Sequence, residues 1–204
     1  VKRGVAPTPL ADLAAVEAPI GPHFFCTCMS SIASLPRSNP ALAERAVEDL
    51  ADLFRASFAD AQSPVPFADE LDLVERYLSI EGLRLGERLK VEWRIADLPA
   101  TACVPLLSLQ PIVENAIYHG IEPARNGGCI EISASADQHN LVIEVANPLS
   151  KADEQHHQGN RIALENVRLR LNAHFGNRAE LSSEQVDDLY RVRLRLPLSG
   201  NFAA

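Results

Sequence analysis

The spacing of apolar residues changes near Gly86. Before this residue, apolar side chains recur every three or four positions, which is the spacing of a helix with one buried face. After it, apolar and polar residues alternate, which is the spacing of a strand with one buried face. The pattern predicts an α+β protein. Residues 1–86 form a helical region, and residues 87–204 form an α/β sandwich, a mixed sheet with helices on one face.

Two helices in the first region form a predicted hairpin. They span Pro22 to Pro36 and Ala41 to Ala61, and a short turn around Asn39 joins them. Their apolar stripes contain Phe25, Met29, Ile32 and Leu35 in the first helix, and Leu42, Val47, Leu50, Leu53, Phe54 and Phe58 in the second. Such a hairpin exposes more apolar surface than it covers, so we expect it to pair with a second copy as a four-helix bundle.

The remaining elements follow from the same rules. A third helix is predicted from Phe67 to Leu85, because acidic residues occupy its first turn and Gly86 follows its end. Strands are predicted at Val91 to Ile95, Ile130 to Ala134, Leu141 to Val145 and Tyr190 to Leu196, with a candidate fifth strand near Ala179 to Ser183. Helices at Pro105 to His119 and Arg161 to Phe175 interrupt these strands.

Composition and charge narrow the classes of function. The formal net charge of −8 argues against direct binding to nucleic acid, because phosphate backbones are held by Lys and Arg clusters. Arg191, Arg193 and Arg195 alternate with apolar residues and are interpreted as the solvated face of a strand.

The four cysteines show neither zinc-type spacing nor a disulfide framework, so a reducing cytoplasm is the simplest setting. No apolar run is long enough to cross a bilayer, and no secretory signal is visible.

The segment from Leu109 to Gly120 places a polar Asn on an otherwise apolar helix. Asn115 and His119 lie four residues apart and share a helix face. An Asn oxygen is a hard ligand suited to Mg²⁺, which usually reaches a protein through one or two oxygens plus phosphates and waters. A capping or surface Asn is the alternative. A second segment, Gly159 to Asn166, follows this helix by about forty residues. The two segments in this order suggest a nucleotide site.

Three segments in this order resemble LytS-type sensor histidine kinases. They are Pro22 to Phe25, the helix that contains Asn115, and Gly159 to Arg170. That family has a Pro-His-Phe-Leu-Phe-Asn segment carrying the phosphoacceptor His, a Gln-Pro-Leu-Val-Glu-Asn-Ala-Ile-Lys-His-Gly helix, and a glycine-rich turn leading into Asn-Val-Arg-x-Arg-Leu. The likeness covers roughly Ala18 to Leu198, and the glycine-rich turn looks most like that of the alginate-regulator sensor branch, AlgZ/FimS-like. The resemblance implies a GHKL ATPase fold for the second region.

The resemblance also implies that His23 accepts a phosphoryl group. Transfer to His needs a neutral imidazole nitrogen, an in-line γ-phosphate and cations that absorb developing charge. His23 follows Pro22, which suits a first helical turn, although a His beside Phe24 and Phe25 is otherwise a packing residue. Thr27, one helical turn later, replaces the usual Asn, and its hydroxyl could position a water against phosphohistidine or a phosphorylated partner.

In the second region the resemblance implies ATP and Mg²⁺ as cofactors. Asn115 would hold Mg²⁺, and His119 would approach the phosphates or the base. Glu114 would orient a catalytic group or simply face solvent. Asn147 stands where an Asp usually accepts a hydrogen bond from the adenine amino group. An amide oxygen accepts the same bond, but without charge it holds the adenine less firmly.

The segment from Gly159 to Leu164 would be the phosphate turn before a helix whose N-terminus faces the anion. Its expected contacts are Gly159, Arg161, Ala163 and Leu164. Arg161 and Ala163 replace two usual glycines, which would let the backbone approach phosphates closely. The Arg161 guanidinium could partly offset that loss by binding the phosphates itself.

These residues support three hypotheses. In the first, ATP phosphorylates His23 and the phosphoryl group passes to an Asp of a response regulator, of LytTR type, bound against the homodimeric hairpin. In the second, a degenerate kinase acts as a dimeric scaffold or phosphatase. Five departures from the family pattern favour it: Thr27, Tyr118, Asn147, Arg161 and Ala163. The third hypothesis is a GHKL ATPase of chaperone or anti-sigma type. It fits the second region only and leaves the hairpin motif, Pro22 to Phe25, unexplained.

The beginning of the chain bears on its location. Val1 does not look like a natural start. In LytS-like proteins the preceding part is a set of membrane spans. The resemblance therefore implies a cytoplasmic fragment of an inner-membrane protein, which would meet the membrane only through a missing N-terminal part.

Overall fold

Two helices open the structure, as the sequence predicts. Helix α1 spans Pro22–Ala33 and helix α2 spans Pro40–Ser57. The computed structural model describes residues 22–35, 37, 39–58, 64–149 and 157–198, with side chains from residue 28 onward in the first of these ranges and from residue 162 onward in the last. Asn39 caps α2, because its Oδ1 accepts a hydrogen bond from the backbone N–H of Leu42 at 3.1 Å.

The buried faces of these helices differ in part from the predicted stripes. Cys28 and Ile32 are buried in α1, and α2 buries Ala43, Ala46, Leu50 and Leu53. Three residues assigned to the stripes are exposed instead: Met29 by 43%, Val47 by 51% and Phe58 by 78%. The face of α2 that packs inward includes small alanines at helical spacing, which a search for large apolar residues passes over. Helix α2 also ends before the predicted Ala61, at Ser57.

Helix α3 spans Phe67–Leu85, the predicted range. The backbone N–H of Phe67 donates a hydrogen bond to the carbonyl of Ala102 at 2.9 Å. The helix ends at Gly86, whose φ of +55° suits glycine better than any other residue. Because α3 packs against both hairpin helices and against the second region, it contributes to a core that the two regions share. The proposed division of the chain at Gly86 stays a prediction.

The second region contains the predicted mixed sheet, which confirms the α+β class. Its strands are β2 (Leu89–Ile95), β4 (Gly128–Ala136), β5 (Asn140–Pro148), β6 (Glu180–Val186) and β7 (Leu189–Pro197). They lie in the order β2-β4-β5-β7-β6. The β2–β4 pair is parallel and the other pairs are antiparallel. The candidate strand near Ala179 is confirmed as β6. Two short strands that the sequence pattern does not predict, β1 (Pro64–Pro66) and β3 (Cys103–Pro105), form a separate antiparallel pair.

One face of the sheet is buried and the other carries charged side chains. The buried positions include Ile130, Ile132, Leu141, Ile143, Val192, Leu194 and Leu196. On the opposite face, Arg193 Nη2 lies 2.6 Å from Glu144 Oε1 across the β5–β7 pair. The predicted solvated face of the arginines is therefore confirmed. Trp93, which alternates with polar residues in the sequence, is 36% exposed on the edge strand β2.

The helix predicted from Pro105 to His119 is shorter, and its two halves differ. Pro105 belongs to β3, and the next residues form a loop in which Leu107 has a φ of +60°. Helix α4 spans Gln110–Asn115 and continues as a π-helix over Ala116–Ile121. The later start has a cause distant in sequence, because the Glu70 carboxylate of α3 accepts the backbone N–H groups just before α4. Single π-helical turns are frequent at functional sites.

Helix α5 spans His157–Phe175 and begins before the predicted Arg161. The residues expected to form a phosphate turn therefore belong to the first turns of this helix. No proline interrupts them, and one glycine in a helix costs only about 1 kcal/mol. Helix α5 packs against α4 through a face that contains Leu164, Val167, Leu171 and Phe175. Among the described residues, no helix is both long and apolar enough to span a membrane.

Candidate functional site

Asn115 lies at the point where α4 changes from an α-helix to a π-helix. The residue is partly buried, and its Nδ2 is a buried atom without a hydrogen-bond partner among the described residues. A capping Asn would have its amide engaged by the backbone of a helix end, and no hydrogen bond from this amide takes that role. An unsatisfied buried N–H donor is costly and calls for an explanation, and a bound acceptor such as a phosphate oxygen is one.

The π-helical turn after Asn115 packs closely against β5. A Cβ added to Gly120 would lie 2.3 Å from Asn147 Nδ2 and 2.9 Å from Asn147 Cβ, so only glycine fits there. His119, next to Gly120, is only 7% exposed, and its ring meets that of Tyr118 edge-on with centroids 4.9 Å apart. Gly120 of the π-helix thus packs against Asn147 of β5, and Asn115 and His119 lie on the same helical segment as Gly120.

Asn147 is 5% exposed at the end of β5. Its Nδ2 donates a hydrogen bond to the carbonyl oxygen of Pro148 at 2.9 Å. This bond uses the donor side of the amide and fixes the direction in which the acceptor side points. A fixed amide oxygen is what a donor such as the adenine amino group requires.

Glu114 does not face the same way as Asn115. Its Oε1 accepts a hydrogen bond from Gln110 Nε2 at 2.9 Å, and it interacts electrostatically with Glu81 and Tyr77 of α3. Burial raises the pKa of Glu114 to about 8, the Gln110 hydrogen bond opposes that rise, and the Glu81 charge adds to it. Glu114, half-buried, therefore belongs to a polar cluster between α3 and α4.

Charged residues of α3 complete that cluster and extend it to the end of the π-helix. Arg84 Nη2 lies 2.6 Å from Glu81 Oε2, and its Nη1 lies 2.7 Å from Glu122 Oε1. Arg88 Nη2 donates to the carbonyls of Glu122 at 2.8 Å and Ala124 at 3.0 Å. These carbonyls lie just beyond the C-terminal end of the π-helix, where cations are stabilising. The two arginines therefore fix the end of the element that carries His119.

At the other end of α4 lies Glu70, which is completely buried. Its carboxylate accepts backbone N–H groups from Leu107, from Ser108 at 2.9 Å and from Leu109 at 2.8 Å. Arg170 of α5, 6% exposed, donates to the carbonyl oxygen of Leu107. Sequence reasoning placed Glu70 only in the first turn of α3 and did not identify Glu81 or Arg170. A signal was present, since Glu70 and Glu81 occupy positions of the buried α3 stripe.

The remaining predicted site residues are only partly described. Ala163 is half-buried and Leu164 is buried on α5, so the Leu164 side chain packs in the core. His23 and Thr27 lie on α1, and Gly159 and Arg161 lie on α5, but their side chains are outside the described part of the structure. Their predicted roles stay predictions.

The site residues fit a nucleotide and Mg²⁺ in kind. Asn115 offers an Nδ2 donor that lacks a partner among the described residues and suits a phosphate oxygen, and its amide oxygen is a ligand type that Mg²⁺ accepts. Asn147 offers an oriented acceptor. No group of three or more His, Cys, Asp or Glu side chains in the described part of the chain could hold a metal ion alone. A cation here would depend on phosphate and water oxygens, which is usual for Mg²⁺.

Comparison with known proteins places the chain in a family. A family model described as Histidine kinase matches residues 11–89. The sensor histidine kinase YpdA of Escherichia coli K12 is 30% identical over 175 residues, which cover 81% of this chain and 31% of that protein. The sensor histidine kinase/phosphatase LytS of Staphylococcus aureus MRSA252 is 29% identical over 187 residues, covering 85% and 32%. The chain belongs to the LytS-type histidine kinases.

This LytS-type chain spans about a third of the length of the curated relatives it matches. A solved structure described as a bacterial phosphotransferase shares its fold, with a TM-score of 0.53 at 12% identity over 93% of this chain and 98% of that one. The architecture is the expected one, helices followed by a mixed sheet. The narrower assignment to the alginate-regulator branch stays a prediction.

Proposed function

We propose that this chain binds ATP with Mg²⁺ and phosphorylates its own His23, as the kinase part of a two-component system. The observation that carries the proposal is the group formed by Asn115, Gly120 and Asn147. It combines an unpartnered buried donor, Asn115 Nδ2, which suits a phosphate oxygen, with a glycine that lets the neighbouring strand approach and an oriented acceptor at the end of that strand. The sequence likeness to sensor histidine kinases supports the same reaction.

Each side chain has a distinct part in this proposal. Asn147 accepts a hydrogen bond from the adenine amino group, and Asn115 contributes an oxygen to Mg²⁺. When bound, the cation neutralises charge on the phosphates. His119 is buried beside them and shapes the cleft, since an imidazole with 7% exposure has little access to bulk water. Gly159, Arg161, Ala163 and Leu164 form the wall of the phosphate site on α5.

The phosphoryl transfer needs an acceptor nitrogen on α1. A neutral His23 nitrogen attacks the γ-phosphorus of ATP, the new P–N bond forms, and the bond to the ADP oxygen breaks. Glu114 supports this step indirectly. Its place between Gln110 and Glu81 lets it orient α4 against α3, the helix that follows the hairpin.

Partners and location extend the proposal to the whole protein. A response regulator of LytTR type receives the phosphoryl group on an Asp while bound to the hairpin. The hairpin forms a homodimer, which would cover the exposed Met29 and Val47. The chain itself lies in the cytoplasm, and a preceding membrane part holds the complete protein in the inner membrane.

The alternative is a weakly nucleotide-binding scaffold or phosphatase. Asn147 in place of a carboxylate favours it, since a neutral acceptor holds adenine less firmly. Thr27, one turn from His23, favours a hydroxyl that positions water for dephosphorylation. The name of the Staphylococcus aureus relative includes both activities.

Two measurements test the proposal. Calorimetry with ADP and Mg²⁺ should give a heat of binding for this chain that Asn115→Ala reduces strongly. Incubation with radiolabelled ATP and Mg²⁺ should give acid-labile phosphate that disappears in His23→Gln. Equal heats for both proteins would remove Asn115 from the site. Binding without labelling, together with dephosphorylation of a phosphorylated regulator, would establish the phosphatase alternative.

A further inference from the structure

The loop before α4 is joined to two other helices by buried charges. Glu70 of α3 accepts three backbone N–H groups from Leu107, Ser108 and Leu109. Arg170 of α5 donates to the Leu107 carbonyl and interacts electrostatically with Glu70. Both charged side chains are almost inaccessible, at 0% and 6% exposure. One short loop thus connects α3, α4 and α5.

This arrangement is costly to form. Leu107 has a φ of +60°, a conformation that a leucine rarely adopts. Arg170 Nε is buried without a hydrogen-bond partner among the described residues. Burial raises the pKa of Glu70, opposed by the backbone N–H groups and by Arg170, and burial lowers the pKa of Arg170. Apolar side chains of similar size would join the helices at lower cost.

A charged pair differs from an apolar contact because it constrains direction. Apolar surfaces slide over one another with small changes in energy, whereas charge-assisted hydrogen bonds require fixed donor and acceptor positions. Glu70 sets the positions of three consecutive peptide groups, and Arg170 sets the carbonyl of one of them. The pair therefore fixes where α4 begins relative to α5.

The two helices that are fixed in this way carry the proposed nucleotide contacts. From Leu109 to Asn115 the rise along α4 is about 9 Å, and from Arg170 to Leu164 the rise along α5 is also about 9 Å. Helices α4 and α5 pack against each other. A small rotation at the pair would move both sets of contacts relative to one another.

We propose that Glu70 and Arg170 are positioning residues for nucleotide binding. They hold α4, which carries Asn115, and α5, which carries the proposed phosphate contacts, at one separation. This inference rests on the proposed function. Neither side chain touches the nucleotide. Their effect reaches it through the Leu107–Leu109 loop and the placement of Asn115.

The test compares ADP affinity in the presence of Mg²⁺ for the 204-residue chain and for Arg170→Met, by calorimetry at a temperature where both are folded. Coupling through a packed network typically changes affinity by about three- to thirtyfold, so we expect a loss of that size. Val192→Ala, a buried truncation in β7, is the control, because it should lower stability at a position in the sheet, paired with β5 and β6. If Arg170→Met does not fold, Arg170→Lys replaces it, since Lys keeps the charge but not the geometry of the hydrogen bonds.

A double-mutant cycle separates positioning from general destabilisation. If Arg170 acts by placing Asn115, the same substitution in an Asn115→Ala background should cost much less affinity than in the wild type. Equal costs in both backgrounds, or wild-type affinity in a folded Arg170→Met or Arg170→Lys, would overturn the inference and leave the proposed function intact. A wild-type chain that binds no ADP would overturn both.

Discussion

Replacing Glu114 with glutamine should change how the stability of this protein depends on pH. Burial raises the pKa of Glu114 from its ordinary 4.5 to about 8. Between these two values the folded state keeps a proton on Glu114 that the unfolded state has lost. Stability therefore falls as pH rises through this window, and the loss is complete above about pH 8.

The size of the effect follows from the same two values. The difference between 4.5 and about 8 corresponds to at most about 5 kcal/mol of unfolding free energy. The groups that face Glu114 are Gln110 of α4 and Glu81 and Tyr77 of α3, while Arg84 pairs with Glu81. A glutamine at this position keeps an acceptor oxygen for Gln110 Nε2 and carries no charge at any pH.

Urea unfolding of the wild type and Glu114→Gln at pH 5 and pH 8.5 measures this effect. Between these two pH values the variant should gain up to about 4 kcal/mol of stability relative to the wild type, while other titrating groups cancel in the difference. Glu44→Gln, which removes a carboxylate from an exposed position of α2, is the control and should give a flat difference. A difference between Glu114→Gln and the wild type that stays constant over this range would refute the reasoning.

Four further substitutions probe packing and the proposed dimer. Gly120→Ala should destabilise by about 1–3 kcal/mol and weaken ADP binding, because its Cβ would meet Asn147 Nδ2 at 2.3 Å; Gly82→Ala, with nothing within 4 Å of its Cβ, should instead stabilise by up to about 1 kcal/mol in the same denaturant titration. Leu53→Ala removes a fully buried side chain and should lower unfolding free energy by about 2–5 kcal/mol. Val47→Glu should convert the proposed dimer to monomer in light scattering, and an unchanged mass would exclude this face of α2 from the interface.

The elements of this fold could be predicted from periodicity because they depend on local rules. Helix α3 has the predicted bounds, since its apolar spacing, its acidic first turn and the terminal Gly86 all lie within the segment itself. The strand faces follow for the same reason. The helix predicted from Pro105 failed because its true start is decided by Glu70, which lies outside that segment. The pattern of residues within one segment cannot indicate that a carboxylate of another helix accepts hydrogen bonds from the backbone N–H groups of that segment.

The same limit applies to the candidate site. Motif spacing singled out Asn115, His119 and Asn147, and the structure places the first two on the helical segment whose Gly120 packs against the third. Motif spacing did not identify the charges that hold α4 at its two ends, because an acidic residue in a helical stripe is ordinarily taken for a surface residue. Carboxylates at apolar positions are informative, however, since a buried charge persists only where several partners converge on it. In α3, Glu70 and Glu81 occupy such positions, and each leads to one end of the helix that carries Asn115. The placement of the proposed nucleotide contacts therefore depends on α3, the helix that follows the hairpin. Because α3 packs against both halves of the chain, it connects the hairpin to the proposed site.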